Sequence, residues 1–387
     1  MNIGIVCYPT FGGSGVVATE LGKALAQKGH SIHFITTNWP IRLDHFTENV
    51  TYHEVNVLDY PVFEFPPYES ALASKMVDVA RFQHLDLLHV HYAIPHASSA
   101  IMAREILRKA YQIYVPILTT LHGTDITLVG KDQSFNPVVR YSIGESDGVS
   151  AVSDFLRQAT IDTFQTDCEI RVIPNFIDLN RFKQTNKSHF KQILAPNGEK
   201  VIIHTSNFRK VKRIEDVIFV FKKVLEKIPT KLLMVGDGPE RAKAEDLCRQ
   251  MDLCDDIRFL GKQQSVEELL AISDLFLMPS GTESFGLAAL EAMACSLPVI
   301  SSDTGGLPEL NVSGETGFLL PVGDVEGMAA AALQLLLDEN LLAIFSKNAE
   351  KRAQKFSLEE IVPLYENYYV EILKNSVSKH PINHSSF

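Results

Sequence analysis

The sequence predicts an α/β protein made of two successive doubly wound domains. Short apolar runs alternate with helix-length amphipathic segments almost throughout the chain, which is typical of parallel sheets covered by helices. This alternation pauses over the polar stretch 183–200, which resembles a linker, and then restarts. The length of 387 residues also fits two domains.

The first half of the chain begins with a strand, a glycine-rich turn and a helix from about Gly15 to Gln27. Its apolar runs predict strands at 2–7, 31–36, 86–90, 116–121, 147–152 and 171–174. We therefore expect a first, Rossmann-like domain over residues 1–175.

The second half repeats this pattern, with strands predicted at 201–205, 231–235, 257–260, 274–278, 298–301 and 317–320. Its helices carry start signals: Pro239 suits a first helical position, and Ser265 with Glu268 forms a possible capping box. The second domain is predicted over 176–356. No strand follows the final helix, 357–375, so we expect it to pack back on the first domain; the tail 380–387 is predicted to be unstructured.

The charge balance excludes some classes of function. The chain has 36 Lys and Arg against 47 Asp and Glu, a net charge of −11, which argues against nucleic-acid binding or a polybasic membrane surface. No apolar run is long enough to span a membrane, and the first residues carry no cationic signal-peptide region. The five cysteines are scattered without a CxxC pair, so buried thiols and a cytoplasmic location are expected.

Two glycine loops follow predicted strands. Gly13 and Gly15 match a dinucleotide fingerprint, but no acidic residue ends the second strand to hold a ribose, which argues against a nicotinamide cofactor. A nest of backbone amides for an anion and a purely structural turn both remain open. The loop from Gly236 to Pro239 is equally compatible with an approaching nucleotide and with a plain turn.

A basic cluster follows the first strand of the second domain. Residues 209–213 contain four cations in five positions, at the edge of the sheet where ligands bind. Arginine can bind two diphosphate oxygens at once, while lysine adds a point charge. Diphosphate binding is favoured over a solvated basic turn.

The most specific segment is 280–291, which follows a predicted strand. Glu283 precedes a helix whose start, from Ser284 to Leu287, would offer unpaired amides to an anion, and Glu291 lies about two turns further on. A loop carboxylate can accept hydrogen bonds from sugar hydroxyls. A helix cap followed by a solvated helix position is the alternative interpretation.

Histidines cluster after two strands of the first domain. His122 follows one strand directly and could be structural or could lie near a substrate, and His89 and His91 share one face of another strand. No carboxylate or cysteine completes a metal-ligand set with them. The chain contains no Asp-x-Asp, so a metal clamp of that type is absent.

Taken together, these motifs resemble the family-4 retaining glycosyltransferases of GT-B fold, in the right order over nearly the whole chain. The motifs that carry the resemblance are Glu283 with Glu291, Arg209 with Lys212, the loop at Gly236, the loop at Gly13–Gly15, and His122. The Arg209–Lys212 spacing is shorter than in many members, so Lys210 is an alternative partner for the diphosphate. Segments 89–96, 120–127 and 206–213 are similar to members that join N-acetylglucosamine to L-malate.

The resemblance implies two domains that face a central cleft, UDP-N-acetylglucosamine as donor and L-malate as acceptor. The implied catalytic residues are His122, Arg209, Lys212 and Glu283, with His122 at the 6-hydroxyl of the sugar. The donor would be bound by Gly13, Gly15, Gly236, Ser284, Phe285, Gly286, Leu287 and Glu291, and the acceptor by Ser14, Tyr92, Thr124 and Arg140.

The resemblance also implies that no metal or cofactor is needed and that the protein is a homo-oligomer. No second carboxylate is evident as a covalent nucleophile, so departure and attack on the same face of the sugar are favoured. Two alternatives stay open: transfer to another small anion such as inositol phosphate, and a GT-B sugar-nucleotide epimerase. Composition does not identify the acceptor.

Overall fold

The computed structural model describes residues 1–10, 12–57, 64–185 and 188–379. The predicted unstructured tail, 380–387, lies outside these residues. The chain divides into two compact units: Met1–Asn175 together with the final helix, Leu358–Lys379, and Phe176–Ser357. Each unit contains a parallel sheet with helices, so the predicted α/β class is confirmed.

The first unit is built on seven parallel strands in the order β3-β2-β1-β4-β5-β6-β7. They are β1 (Asn2–Val6), β2 (Ser31–Thr36), β3 (Val50–Glu54), β4 (Leu87–His91), β5 (Ile117–Leu121), β6 (Gly148–Ala151) and β7 (Ile170–Val172). The sequence did not predict β3, because this edge strand is only partly buried and has one aliphatic residue, Val50. The helices are α1 (Gly13–Gln27), α2 (Tyr68–Phe82), α3 (Ser98–Tyr111), α4 (Asn136–Glu145) and α5 (Asp154–Phe164).

The final helix of the chain, Leu358–Lys379, packs on this sheet through buried aromatic side chains. The Tyr369 hydroxyl lies 2.8 Å from Nδ1 of His89 in β4, and the Tyr368 hydroxyl accepts a hydrogen bond from the amide of Val149 in β6. At the surface, Glu366 bonds both Lys28 and His30. The helix therefore completes the core of the first unit although it follows the second unit in sequence.

The second unit contains six parallel strands in the order β10-β9-β8-β11-β12-β13. They are β8 (Lys200–Ser206), β9 (Thr230–Gly236), β10 (Ile257–Gly261), β11 (Leu275–Met278), β12 (Val299–Ser302) and β13 (Gly317–Leu320). The helices of this unit are α6 (Ser188–Leu194), α7 (Ile214–Leu225), α8 (Arg241–Gln250), α9 (Val266–Ala271), α10 (Leu287–Ala294), α11 (Leu307–Leu310), α12 (Val325–Leu337) and α13 (Glu339–Gln354); the final helix, Leu358–Lys379, is α14.

Several sequence-based predictions for this unit were wrong in detail. The predicted linker contains α6. Helix α8 begins at Arg241 and not at Pro239, because the preceding turn is tied to the neighbouring loop by the Glu240 amide, which bonds the Phe208 carbonyl. Ser265 precedes α9, but its hydroxyl makes no capping hydrogen bond.

The described helices and cysteines add two further facts. No single described helix is long and apolar enough to cross a membrane; only α12 and α13 taken together, bent by 105°, reach that length and composition. Cys7, Cys248 and Cys295 are buried, but Cys168 is partly exposed and Cys254 is exposed, so the expectation of buried thiols holds for three of the five.

The strand orders place one switch point in each sheet. In the first unit the chain moves outward from β1 and then returns to β4 on the other side of β1; in the second unit β8 and β11 have the same relation. The loops that leave two such strands diverge and open a crevice at their carboxyl ends. The candidate residues after β1, β4, β8 and β11 therefore belong to ligand-binding edges.

Candidate active site

Glu283 is the best anchored of the candidate side chains. Its Oε1 accepts hydrogen bonds from Lys212 Nζ at 2.5 Å and from Ser280 Oγ at 2.8 Å. The Lys212 and Glu283 side chains are only 18% and 11% exposed, so the ion pair is largely shielded from water. Both contacts use Oε1, and Oε2 has no bond to any described residue. One carboxylate oxygen therefore remains to accept a ligand hydroxyl.

Two neighbouring loops hold the backbone of the Glu283 loop. The amide of Gly281 donates to the carbonyl of Val211 in the loop after β8, and the amide of Gly306, after β12, donates to the carbonyl of Glu283. Gly305 has a φ of 62°, and a Cβ at that position would collide with the Glu283 carbonyl oxygen. Only glycine therefore fits here without moving the carboxylate.

His204 lies beneath this group, in β8. It is fully buried, and this burial lowers its pKa to about 4, so the ring is neutral at pH 7. Its Nδ1 bonds the Leu277 carbonyl of β11 and its Nε2 bonds the Ser206 hydroxyl. A carbonyl oxygen only accepts, so Nδ1 carries the proton and Nε2 accepts from Ser206. The histidine thus ties the two strands of the switch point together.

The basic cluster places its cations differently. Arg209 and Lys210 are exposed, and neither forms an ion pair or hydrogen bond through its side chain with a described residue. Lys212 is the lysine that contacts Glu283. Of the two lysines that the sequence left open, the structure brings Lys212 to the carboxylate, while the Arg209 guanidinium is free to bind an anion.

The Gly236 loop comes very close to the end of β8. Gly236 has a φ of 126°, and a Cβ there would collide with the Ser206 carbonyl oxygen; a Cβ on Gly238 would collide with that of Asn207. Backbone in the loop after β9 therefore lies directly against the start of the basic cluster.

Helix α10 begins at Leu287, later than the predicted start at Ser284, because Gly286 precedes it with a φ of 99°. The Phe285 side chain is buried and packs edge-on against Phe356 at 5.6 Å, so only its backbone can meet a ligand. Glu291 is 8% exposed and engaged in contacts within the protein. The predicted helix start is therefore shifted by three residues, and its first free amides begin at Leu287.

In the first unit, Ser14 and Tyr92 join the two loops at the switch point. The Tyr92 hydroxyl donates to Ser14 Oγ at 2.7 Å, which leaves the Ser14 hydroxyl proton for another acceptor. Helix α1 starts at Gly13, two residues earlier than predicted, so the amides of Gly13, Ser14 and Gly15 lie in its first turn. Such amides have no partner within the helix and suit an anion.

His122 follows β5 and contacts a second histidine. Its Nε2 lies 2.8 Å from Nδ1 of the buried His91, at the end of β4. The Tyr92 ring is 5.3 Å from the His122 ring, which places His122 beside the Ser14–Tyr92 pair. Burial lowers the pKa of His122 to about 3, so its ring is neutral at pH 7.

Asp125 connects the loops that carry Tyr92 and His122. Its carboxylate accepts hydrogen bonds from the amides of Ala93 at 2.8 Å and Gly123 at 3.2 Å. Burial raises the pKa of Asp125 to about 6, although these amide bonds act in the opposite direction. The carboxylate is a structural clamp between the β4 and β5 loops.

Thr124 and Arg140 are not brought to this group by any side-chain contact among the described residues. Both are exposed. Arg140 lies on α4, which packs against the segment Ala93–Ala97 that follows Tyr92. Arg140 is therefore on a neighbouring element, with its guanidinium free.

Sequence reasoning missed the residues that support the site. Ser280, His204, His91, Asp125 and Gly305 all fix the position of a predicted residue. Asp125 and Ser280 stand inside motifs that were singled out, and two consecutive glycines after a strand were a signal for Gly305. The role of His204 depends on the pairing of β8 with β11, which the sequence alone does not give.

An anchored carboxylate and basic side chains without a partner among the described residues, at the ligand-binding edge of a doubly wound domain, suit an enzyme whose ligand carries hydroxyl and anionic groups. Comparison with known proteins identifies the class of enzyme. A family model described as Glycosyltransferase Family 4 matches residues 11–181, and one described as Glycosyl transferases group 1 matches residues 185–352. A protein of Bacillus anthracis named N-acetyl-alpha-D-glucosaminyl L-malate synthase is 47% identical over 97% of this chain and 98% of its own. The chain belongs to glycosyltransferase family 4 and is a glycosyltransferase.

More distant matches agree with the fold. D-inositol 3-phosphate glycosyltransferase of Corynebacterium jeikeium is 27% identical over 80% of this chain and 78% of its own. Among solved structures, sucrose-phosphate synthase of Thermosynechococcus elongatus matches with a TM-score of 0.80 and 23% identity, covering 97% of this chain and all of its own. Anabaena HepE, in complex with UDP and glucose, matches with a TM-score of 0.79 and 21% identity, covering 96% and 99%. The predicted GT-B fold is confirmed.

The Gly305–Glu283 contact gives a direct test of the site. We expect Gly305→Ala to lower kcat/KM for glycosyl transfer by at least about tenfold, because the new Cβ displaces the Glu283 backbone. Gly314→Ala is the matched control, since Gly314 also has a positive φ, 82°, but no heavy atom within 4 Å of the added Cβ. Equal losses of kcat/KM in the two variants, measured by steady-state kinetics, would contradict the assignment of Glu283 to the active site.

Proposed function

We propose that the protein transfers N-acetylglucosamine from UDP-N-acetylglucosamine to the hydroxyl of L-malate, with retention at the anomeric carbon and without a metal ion. The observation that carries the proposal is the Lys212–Glu283 pair, whose Oε2 bonds no described residue, in the same loop as Arg209, whose side chain also has no described partner. The substrates are supported by the Bacillus anthracis relative, whose name specifies N-acetylglucosaminyl transfer to L-malate.

The donor half of the mechanism is mainly electrostatic. As the bond to the sugar breaks, negative charge grows on the departing diphosphate, and fixed positive groups lower the barrier most. Arg209 can bind two of its oxygens, and Lys212 supplies a second charge whose position is set by Glu283. These side chains supply the positive charge that a divalent cation provides in other enzymes.

The sugar and the nucleoside are held by neutral and acidic groups. Glu283 Oε2 accepts a sugar hydroxyl, while Lys212 and Ser280 prevent the carboxylate from rotating. Glu291 binds the ribose and the amides from Leu287 onward face the phosphates. His122 bonds the 6-hydroxyl of the sugar. No covalent nucleophile is assigned, so the acceptor attacks the face from which UDP departs, and the donor phosphate takes its proton.

The acceptor half uses the first unit. L-Malate has two carboxylates, which require cations or amides. The Ser14 hydroxyl, whose oxygen already accepts from Tyr92, can donate to one carboxylate, as can the first-turn amides of α1. Arg140 binds the other carboxylate, and Thr124 contributes a hydroxyl.

The setting of the enzyme is part of the proposal. All five cysteines are free thiols, which fits a reducing compartment and therefore the cytoplasm. A homo-oligomeric state stays a prediction from the family resemblance.

The substrates can be tested directly. Purified protein is incubated with UDP-N-acetylglucosamine and, separately, with L-malate, inositol phosphate and other hydroxy acids, each with and without EDTA. We expect UDP release only with L-malate, no effect of EDTA, and an α-linked product by proton NMR of the anomeric position.

Any other result of this assay would change one part of the proposal. Preference for inositol phosphate would replace the acceptor, loss of activity in EDTA would overturn metal independence, and a β-linked product would overturn retention. UDP release without any acceptor would overturn the L-malate assignment, and conversion of the donor into an epimeric UDP-sugar without net release of UDP would favour the epimerase class.

The role of Lys212 is tested by comparison with its neighbour. Lys212→Met removes the charge beside the diphosphate and unpairs Glu283, so we expect kcat/KM to fall by about 100-fold or more. Lys210→Met, at an exposed position without a contact to Glu283, should change kcat/KM by less than about threefold. A larger loss in Lys210→Met than in Lys212→Met would reverse the assignment.

The acceptor site is tested at Arg140. We expect Arg140→Ala to raise KM for L-malate by about tenfold or more, because a charge-assisted hydrogen bond is lost, and to leave KM for the donor unchanged. Arg108→Ala is the control: Arg108 is another exposed arginine of the first unit, but Glu105 already neutralises it. An unchanged KM for L-malate in Arg140→Ala would remove Arg140 from the acceptor site.

A further inference from the structure

His91 lies next to His122 and has no assigned role in the proposed transfer. His91 ends β4, is completely buried, and stacks on His89 with ring centroids 4.5 Å apart. Its Nδ1 is 2.8 Å from Nε2 of His122. The two ring centroids are 5.0 Å apart and the planes differ by 24°, so the rings meet edge to edge and nearly coplanar. This is the geometry of an in-plane N–H···N hydrogen bond.

The second nitrogen of His91 is in an unusual position. Its Nε2 is buried and has no hydrogen-bond partner among the residues that the structure describes. The other buried histidines of this region use both nitrogens: His89 bonds Tyr369 and Thr120, and His96 bonds the His91 carbonyl and Tyr68. Of His89, His91 and His96, only His91 has one nitrogen with and one without a partner among the described residues.

Only two proton arrangements are open to the pair. Burial lowers the pKa of His122 to about 3 and the pKa of His91 well below its ordinary value, so both rings are neutral and each carries one proton. If His122 Nε2–H donates, the proton of His91 must sit on Nε2 as a buried N–H without an acceptor. If His91 Nδ1–H donates, Nε2 of His91 is only an unused lone pair. Buried unpaired N–H groups are rarer than unpaired acceptors, so the second arrangement is favoured.

The favoured arrangement fixes what His122 presents to a ligand. Since its Nε2 accepts from His91, its single proton is on Nδ1, and that nitrogen has no partner among the described residues. We propose that His91 is a positioning residue that locks His122 in the Nδ1–H tautomer, so that His122 donates a hydrogen bond to a hydroxyl oxygen of the donor sugar. The tautomer rests on the geometry alone, whereas the donor sugar as the ligand of His122 rests on the proposed function.

The tautomer is measured without substrate. Protein labelled with 15N at histidine gives ring-nitrogen shifts that separate protonated from unprotonated nitrogens, and His122→Ala identifies the His122 signals. We expect a protonated Nδ1 and an unprotonated Nε2 for His122. The reverse pattern in the unmodified protein would overturn the proposal. Because this measurement needs no turnover, it stands even if L-malate proves not to be the acceptor.

Two substitutions at His91 then connect the tautomer to catalysis. His91→Phe keeps a flat ring but removes the donor, so we expect His122 to move to the Nε2–H tautomer and kcat to fall by about 10- to 100-fold, with KM for L-malate unchanged. His91→Asn places an amide nitrogen where Nδ1 lies, so it should restore the Nδ1–H signal of His122 and most of kcat. Thermal unfolding of both variants separates this effect from lost stability.

A double substitution supplies the last control. In a His122→Ala background, His91→Phe should lower kcat no further, because His91 acts through His122. An independent additional loss in the double variant, or a His91→Phe enzyme with normal kcat and the Nδ1–H signal intact, would contradict the proposal.

Discussion

The candidate site of the second unit depends on the ion pair between Lys212 and Glu283. Both side chains are largely removed from water, and a buried charge without its partner is strongly destabilising, so each fixes the position of the other. The pair joins the loops after β8 and β11, while Gly305 and Gly306 bring the loop after β12 against the Glu283 backbone. Because Lys212 balances the charge of the Glu283 carboxylate within the protein, the carboxylate is held in one position where it can contact a ligand. Its Oε2 atom, which bonds no described residue, is held in place by the same contacts.

The two units use the same topological position in different chemical ways. In each sheet, one contact joins the loop after the first strand to the loop after the fourth: Ser14 to Tyr92 in the first unit, and Lys212 to Glu283 in the second. The first contact is neutral and leaves a hydroxyl proton and helix amides for an anion. The second is ionic and leaves a carboxylate oxygen for hydroxyls, with Arg209 free for phosphate. A net charge of −11 is therefore compatible with local binding of small anions.

The sequence predicted the features that periodicity encodes and missed those that depend on pairing. Buried strands such as β5 and β8 were found within one residue at each end, because apolar runs are their direct signature. Strand β3 was missed because an exposed edge needs few apolar residues, and α8 was misplaced because a contact with Phe208 sets its start. At the site, Glu283 and Lys212 were both identified by type and spacing, but their contact was not. It requires β8 and β11 to be neighbours, although 68 residues lie between the end of one and the start of the other.

Burial of the histidine rings affects the direction of their hydrogen bonds as well as their charge. In a dry interior an imidazolium is too costly, so His204, His96 and His122 are neutral, and each then has one donor and one acceptor in its plane. A carbonyl on one side determines which nitrogen carries the proton: Leu277 does so for His204, and the backbone of His91 does so for His96. No described carbonyl bonds a ring nitrogen of His122, and its tautomer is determined by another titratable ring. A hydrogen-bond donor of fixed direction is thereby built from groups that carry no charge.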